Sequence, residues 1–253
     1  MNLSLTQHLW NMNLTPLATK RSISLPLGTK STHIEEPEIL PWYRPLASIL
    51  ATDVVAAWQP IRAASYAASF ANISNPGTLD AIDVGTSGWS ADKGWEGNGS
   101  AYVRTMIQMG YNWSSIHFLQ STAWTGVPGL GTLDGSPYKG HYFRCGVTSS
   151  AWYHTNPAQS LLVATPSPVV LALSGSGGPG IPAKAYKDGI YILDIIPWTS
   201  GSLVNRFNLT ALNYNGTPVV KFGAGQYYCA GAVYNRPLTT LEHLAIATAA
   251  ILL

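Results

Sequence analysis

The 253-residue sequence predicts an all-β fold, a two-sheet antiparallel sandwich with an extended N-terminal arm and a short C-terminal helix. Three observations carry this. Short apolar or alternating runs are separated by Gly, Pro, Asn and Asp from Leu46 onward. Two dipeptides, Asp188-Gly189 and Asn215-Gly216, have the chemistry of two-residue hairpin turns, in which both central residues take positive φ. One segment alone has a helix-start signature, and it closes the chain.

Residues 1–45 read as an arm, and residues 46–253 as the sandwich. The arm holds three of the five glutamates, Glu35, Glu36 and Glu38, and prolines at 16, 26, 37, 41 and 45. Proline removes backbone donors and favours extended chain, which argues against a helix or a central strand. Yet Leu9, Trp10, Leu14, Leu25, Leu27 and Ile39 make the arm too apolar for a solvated linker. Such residues serve to pack it on its own domain or on a neighbouring copy.

In the sandwich the predicted strands are 101–106, 115–121, 142–148, 161–165, 169–173, 183–187, 190–195, 209–214, 219–223 and 227–234. Val169-Val170-Leu171-Ala172-Leu173 is apolar on both faces, as a central strand buried on both sides is. The two turn dipeptides make hairpins of 183–195 and 209–222. Gly175–Gly180 is a flexible loop by composition. Thr239-Thr240-Leu241-Glu242 is a capping box, and Leu241, Leu244, Ala245, Thr248, Ile251 and Leu252 then follow helical spacing. That stripe is expected to lie on a sheet or a partner.

Charged residues are 10% of the chain and the net charge is +2. There is no basic stripe or acidic block to advertise nucleic acid or a membrane surface. Low charge also fits a surface partly covered by other subunits. Residues 1–10 lack the features of a secretory signal, and no run of about 18 apolar residues exists to span a bilayer. The seven Asn-x-Ser/Thr sequons therefore read as turn chemistry. Cys145 and Cys229 have neither zinc nor redox spacing. They are buried thiols, or a bonded pair if their strands are neighbours.

The order of several stretches resembles a known family. Ala57-Trp58-Gln59-Pro60, then Tyr66 to Asp80, resembles the opening of concanavalin A-like, laminin G-like (LamG) jelly-roll domains of phage and prophage structural proteins. Gly94 to Val103 is similar to the strand that follows there, and Ala211 to Pro218 with Ala230 to Glu242 to the closing strands and final helix. The resemblance spans residues 55–250. It implies two stacked antiparallel sheets, a concave face, and roles in glycan binding or virion architecture.

Chemistry was sought against that background. Glycosidases of this fold carry paired acids on one strand; among the twelve acids here no such array exists, and Asp188 and Asp194 belong to a turn and a strand end. The six histidines show no metal-ligand grouping, and His117 and His141 are expected to face solvent or a neighbour. A Ser-His-Asp triad assembles in space, so spacing does not test it, but no Gly-x-Ser-x-Gly elbow is present. Asp80, Asp83 and Asp92 are close in sequence and suit either a loop or, as in many laminin G-like domains, calcium. Exposed aromatics are the remaining functional resource, with Trp124, Tyr138, Trp152 and Tyr153 as candidate sugar-stacking surfaces.

The expected protein is thus non-enzymatic and has no cofactor, calcium being the one metal weighed against a plain loop at Asp80, Asp83 and Asp92. It is a bacteriophage virion component, such as a capsid decoration, head-fibre or tail-associated protein, with virion proteins and further copies of itself as partners. The alternative is a glycan-binding adhesin whose partner is a cell-surface glycan.

Overall fold

The computed structural model describes residues 40–122, 129–134, 139–145, 150–155, 159–161, 167–175, 181–195 and 203–253, with the backbone alone for most of 150–161. The predicted arm lies outside these residues except for its last six.

Two sheets face each other in a jelly-roll sandwich. In spatial order the first sheet holds β13 (Ile190–Ile195), β12 (Ala183–Lys187), β11 (Val169–Ser174), β6 (Ser114–Ser121), β16 (Gln226–Tyr234), β4 (Gly94–Glu96) and β3 (Gly88–Ser90). β1 (Val54–Trp58) shares the free edge of β16 with β4. The second sheet holds β10 (Gln159–Leu161), β9 (Ser150–Thr155), β8 (Lys139–Arg144), β7 (Gly129–Asp134), β14 (Leu212–Tyr214) and β15 (Thr217–Val219). All pairs are antiparallel except β14 with β7. A short pair, β2 (Ile82–Val84) with β5 (Tyr102–Arg104), joins the second sheet's side through the segment 203–210. Leu209 N donates to Val103 O at 2.8 Å and Phe207 N to Ile107 O at 2.9 Å, while Gly131 N donates to Asn208 O at 2.8 Å.

β11 is the doubly buried strand that its sequence announces. Val169, Leu171 and Leu173 enter the core between the sheets; Val170 and Ala172 enter a second core on the outer face of the first sheet. Both hairpin turns form, with φ of 52° and 77° at Asp188-Gly189 and 48° and 84° at Asn215-Gly216. The inter-sheet core contains Trp58, Trp95, Leu119, Phe143, Phe207 and Tyr228, all fully buried. Each such side chain contributes about 1.5–3 kcal/mol relative to exposure. An aromatic row crosses it: Phe70 on Trp95 at 5.1 Å, Trp95 on Tyr228 at 5.5 Å, Tyr228 beside His117 at 5.8 Å, and His117 on Phe207 at 5.4 Å.

The second core is covered by Trp42, Ile49 and Ile61 and by the C-terminal helix α1 (Thr240–Ile251). Trp42 is buried, and Tyr234 Oη donates to Tyr43 O at 2.7 Å. The last residues of the predicted arm are therefore part of the sandwich. The capping box forms as expected, with Glu242 N donating to Thr239 Oγ1 at 3.2 Å and Thr239 N to Glu242 at 2.8 Å.

The helix turns a different face inward from the one its leucines suggest. Glu242, His243, Ile246, Ala247 and Ala250 are buried, whereas Leu241, Leu244, Ile251 and Leu252 are exposed. Two causes are visible. Ala247 and Ala250 let the helix lie close to the first sheet, so close that a Cβ on Gly189 would stand 2.6 Å from Leu244 Cα. Glu242 is also held inward by Arg236, at 2.8 and 3.0 Å, and by Ser48 Oγ at 3.0 Å. Both cysteines are buried free thiols. Burial pushes the Cys145 thiol up to about 12.

Candidate functional site

Three segments meet on the outer face of the second sheet's side. On β5, Val103 points into the core, so the pleat turns Tyr102 and Arg104 outward. The segment 204–208 runs beside β5, with Asn208 bridged to Arg104 and the next residue, Leu209, donating to Val103 O. The β14–β15 hairpin closes the third side with Asn213, Gly216 and Pro218. They enclose a half-open cavity of about 230 Å³. That is smaller than the roughly 300–1,000 Å³ of sites for drug-sized ligands, room for one small polar ring.

The walls are held from beneath. Asp134, at the end of β7, accepts from Val204 N at 2.5 Å, from Asn205 N at 3.1 Å and from Asn205 Nδ2 at 2.6 Å. Phe207, fully buried at the end of the aromatic row, anchors Arg206 and Asn208 on either side of it. Asn213 is more than nine-tenths buried and donates from Nδ2 to Arg206 O at 2.8 Å. A carbonyl can only accept, so this bond fixes which way the amide is turned.

What the site leaves unmet is informative. Asn213 Oδ1 and Arg104 Nε are buried without a hydrogen-bond partner among the described residues. Buried polar atoms are nearly always paired, and an unpaired one loses about 1–3 kcal/mol. Arg206 is exposed and spends Nη1 on Met106 Sδ at 3.0 Å. Lys221 stands over the Tyr102 ring, 5.4 Å from its centre, and also donates to Ser100 O. Among the described residues no acid lines the cavity. The arrangement offers fixed donors, one fixed acceptor and an aromatic ring, and it can hold a hydroxylated ligand by hydrogen bonds.

A second constellation has the atoms of a nucleophile and base. Ser115 Oγ lies 2.8 Å from His141 Nε2 and 3.0 Å from His117 Nε2, and His117 Nδ1 lies 2.8 Å from Tyr228 Oη. All four residues are fully buried between the sheets, and burial lowers the His117 pKa to about 3. The expectation that His117 and His141 face solvent or a neighbour is corrected: each is paired inside the core, which satisfies a polar ring there. No substrate reaches them, and the group works as a hydrogen-bonded core network.

The acids near residue 80 organise their own loops. Asp80 Oδ1 accepts from Asn72 N at 2.8 Å and Gly77 N at 3.3 Å; Asp83 takes the Tyr66 hydroxyl at 2.5 Å and Ser87 N at 3.0 Å. Asp92 is exposed apart from them. Among the described residues no three His, Cys, Asp or Glu side chains group as for a metal.

Of the aromatics proposed for sugar stacking, Trp124 and Tyr138 lie outside the described residues. Trp152 and Tyr153 lie on β9, where the backbone is described. Leu9, Trp10, Leu14, Leu25, Leu27 and Ile39 also lie outside them. The cavity residues were not anticipated from sequence, although the alternation Tyr102-Val103-Arg104 was the available signal for two of them.

No protein-family model and no curated protein matches the chain. Solved structures do. A structure reported under the heading that cell entry of botulinum neurotoxin type C depends on interaction with two ganglioside molecules aligns with a TM-score of 0.55 and 11% identity, over 80% of this chain and 52% of that one. The binding domain of botulinum neurotoxin serotype D gives 0.52 and 11%, over 81% and 53%. Trypanosoma rangeli sialidase in complex with sialic acid gives 0.52 and 10%, over 77% and 32%. The chain thus spans about half the length of the toxin chains and a third of the sialidase. At such identities the likeness is one of fold.

Proposed function

We propose that the chain is a non-enzymatic glycan-binding module whose ligand sits in the cavity between β5, the 204–208 segment and the β14–β15 hairpin. The observation that carries this is the polar lining of the cavity, in which Arg104 and Asn213 each also hold a buried side-chain atom with no hydrogen-bond partner among the described residues. A sugar presents adjacent hydroxyls that both donate and accept, the complement of a fixed amide oxygen beside guanidinium donors. The toxin and sialidase likenesses support the reading, since those proteins' structures concern gangliosides and sialic acid.

A glycan array probed with the full chain tests it. Binding that falls at least tenfold in Asn213→Ala, with the melting temperature held within a few degrees, is the expected result; a blank array overturns the proposal. Trp124, Tyr138, Trp152 and Tyr153 remain the aromatic set proposed from sequence. Binding lost in Trp152→Ala or Tyr153→Ala but kept in Asn213→Ala places the sugar on that set instead.

A second reading has the module carried on a phage virion, with other virion proteins and further copies as partners. The low charge and the apolar, proline-studded residues 1–39 favour it. Because Trp42 belongs to the outer core, the separable anchor ends before it. Deleting 1–39 is expected to leave a folded sandwich of lower oligomeric mass by light scattering; an unchanged mass counts against the anchor.

A further inference from the structure

Resting on the glycan-binding reading, we propose that the sugar taken by this cavity is acidic, with its carboxylate or sulfate group on Arg104 and Arg206. Among the described residues the cavity's charged lining consists of these two arginines, with no acidic side chain. Asp134, the acid beneath the wall, has its oxygens committed to Val204 N and to Asn205 N and Nδ2. Arg104 makes no ion pair among the described residues, and its Nε is buried and unmet. Arg206 makes no ion pair among them either, and the side-chain hydrogen bond it makes there is to a thioether, a weak acceptor that an anion displaces.

Arginine's planar fork matches the two oxygens of a carboxylate or sulfate, and the bond strengthens where water is excluded. Lys221 over Tyr102 adds a third positive charge at the rim. A bare inorganic anion engages the arginines and leaves the Tyr102 ring and the rest of the wall unused. An acidic sugar engages both, its anion on the guanidinium groups and its ring against Tyr102 and the wall. This is the reason to assign a sugar acid over a free anion.

The test uses the full chain on an array of paired glycans, each uronic or sulfated sugar beside its neutral parent, followed by titration with methyl glucuronide, methyl glucoside and sodium sulfate. The expected result is at least tenfold tighter binding of the acidic member, weakened by salt and abolished as a preference in Arg104→Gln. Arg206→Gln, at an exposed position, gives the same direction without risk to the core. Sulfate alone is expected to compete only weakly. Neutral and acidic members bound equally, with binding still dependent on Asn213, overturns the acid assignment and leaves the glycan reading standing. Sulfate binding as tightly as the glucuronide overturns the sugar in favour of a free anion. A blank array overturns both readings, and an acidic preference untouched by either arginine variant overturns the location.

Discussion

Glu242→Gln replaces one oxygen of the best-connected carboxylate among the described residues. Glu242 is 3% exposed and accepts from Arg236 Nη1 and Nη2, Thr239 N and Oγ1, and Ser48 Oγ, all between 2.8 and 3.1 Å. Through these bonds it ties the first turn of α1 to residues 48 and 236, and Arg236 Nε continues the link to Asp53 at 3.0 Å. The amide removes the charge and turns an NH2 toward donors. Breaking a buried pair by removing one partner costs roughly 3–5 kcal/mol. Arg236 is 28% exposed and keeps Asp53, which lowers the expectation to about 2–3 kcal/mol at pH 7. For a domain of this size that is a fall of about 4–12 °C in melting temperature.

The sign of the pH dependence follows from the carboxyl's position. Burial by itself would raise its pKa, but Arg236, Thr239 and Ser48 outweigh burial and hold it at about 2, against 4.5 when free. Its contribution is therefore complete above pH 4.5 and is lost as pH falls through about 2. Urea unfolding of both proteins at pH 7 and at pH 3 measures this, and the gap should narrow at the lower pH. A gap below about 1 kcal/mol at pH 7, or one unchanged by acid, refutes the reasoning.

Burial lowers the pKa of both His117 and His243 to about 3 from 6.5, so the unfolded chain takes up protons that the folded one refuses. Stability is expected to fall as pH drops below 6.5, by up to about 1.4 kcal/mol per pH unit for each ring; equal urea midpoints at pH 7 and 5 would refute this. At Gly231 a Cβ would collide with the Tyr228 hydroxyl and stand 2.9 Å from His117 Nδ1. Gly231→Ala should cost about 3 kcal/mol by overpacking and loss of that hydrogen bond, read by chemical denaturation, and a cost under about 1 kcal/mol would show that the network yields. On α1, Leu241→Ser and Leu244→Ser are expected to stay within about 0.5 kcal/mol, whereas Ala247→Leu should cost about 1–3 kcal/mol. The reverse order in thermal melts would place the leucine face inward.

The fold was legible where local chemistry and tertiary packing agree. β11 shows its double burial in an unbroken apolar run; the two hairpins show their turns; Thr239 and Glu242 mark the start of α1. Strands whose pattern is interrupted by glycine did not announce themselves, as with Gly129-Leu130-Gly131-Thr132-Leu133-Asp134, whose partners on both sides define it. The helix face was misread because apolar residues lie all round α1. Small alanines and a carboxylate bound to Arg236, rather than the larger leucines, then decide which side packs. His117 and His141 were misplaced for a related reason: whether a polar ring can be buried depends on Ser115 and Tyr228, partners up to 111 residues away. The cavity was illegible because residues 102–104, 204–208 and 213–218 become neighbours only after the strands pair.

The aromatic row that ends at Phe207 divides labour along the chain. From Phe70 to Phe207 each ring is fixed by the next, so substitutions there are costly to the whole sandwich. The Arg206 side chain, exposed beside Phe207, carries none of that load and is free to be exchanged while the scaffold stays the same. On the glycan-binding proposal, ligand preference can be rewritten on this framework by a handful of changes, beginning at positions 104 and 206 and leaving the rings alone.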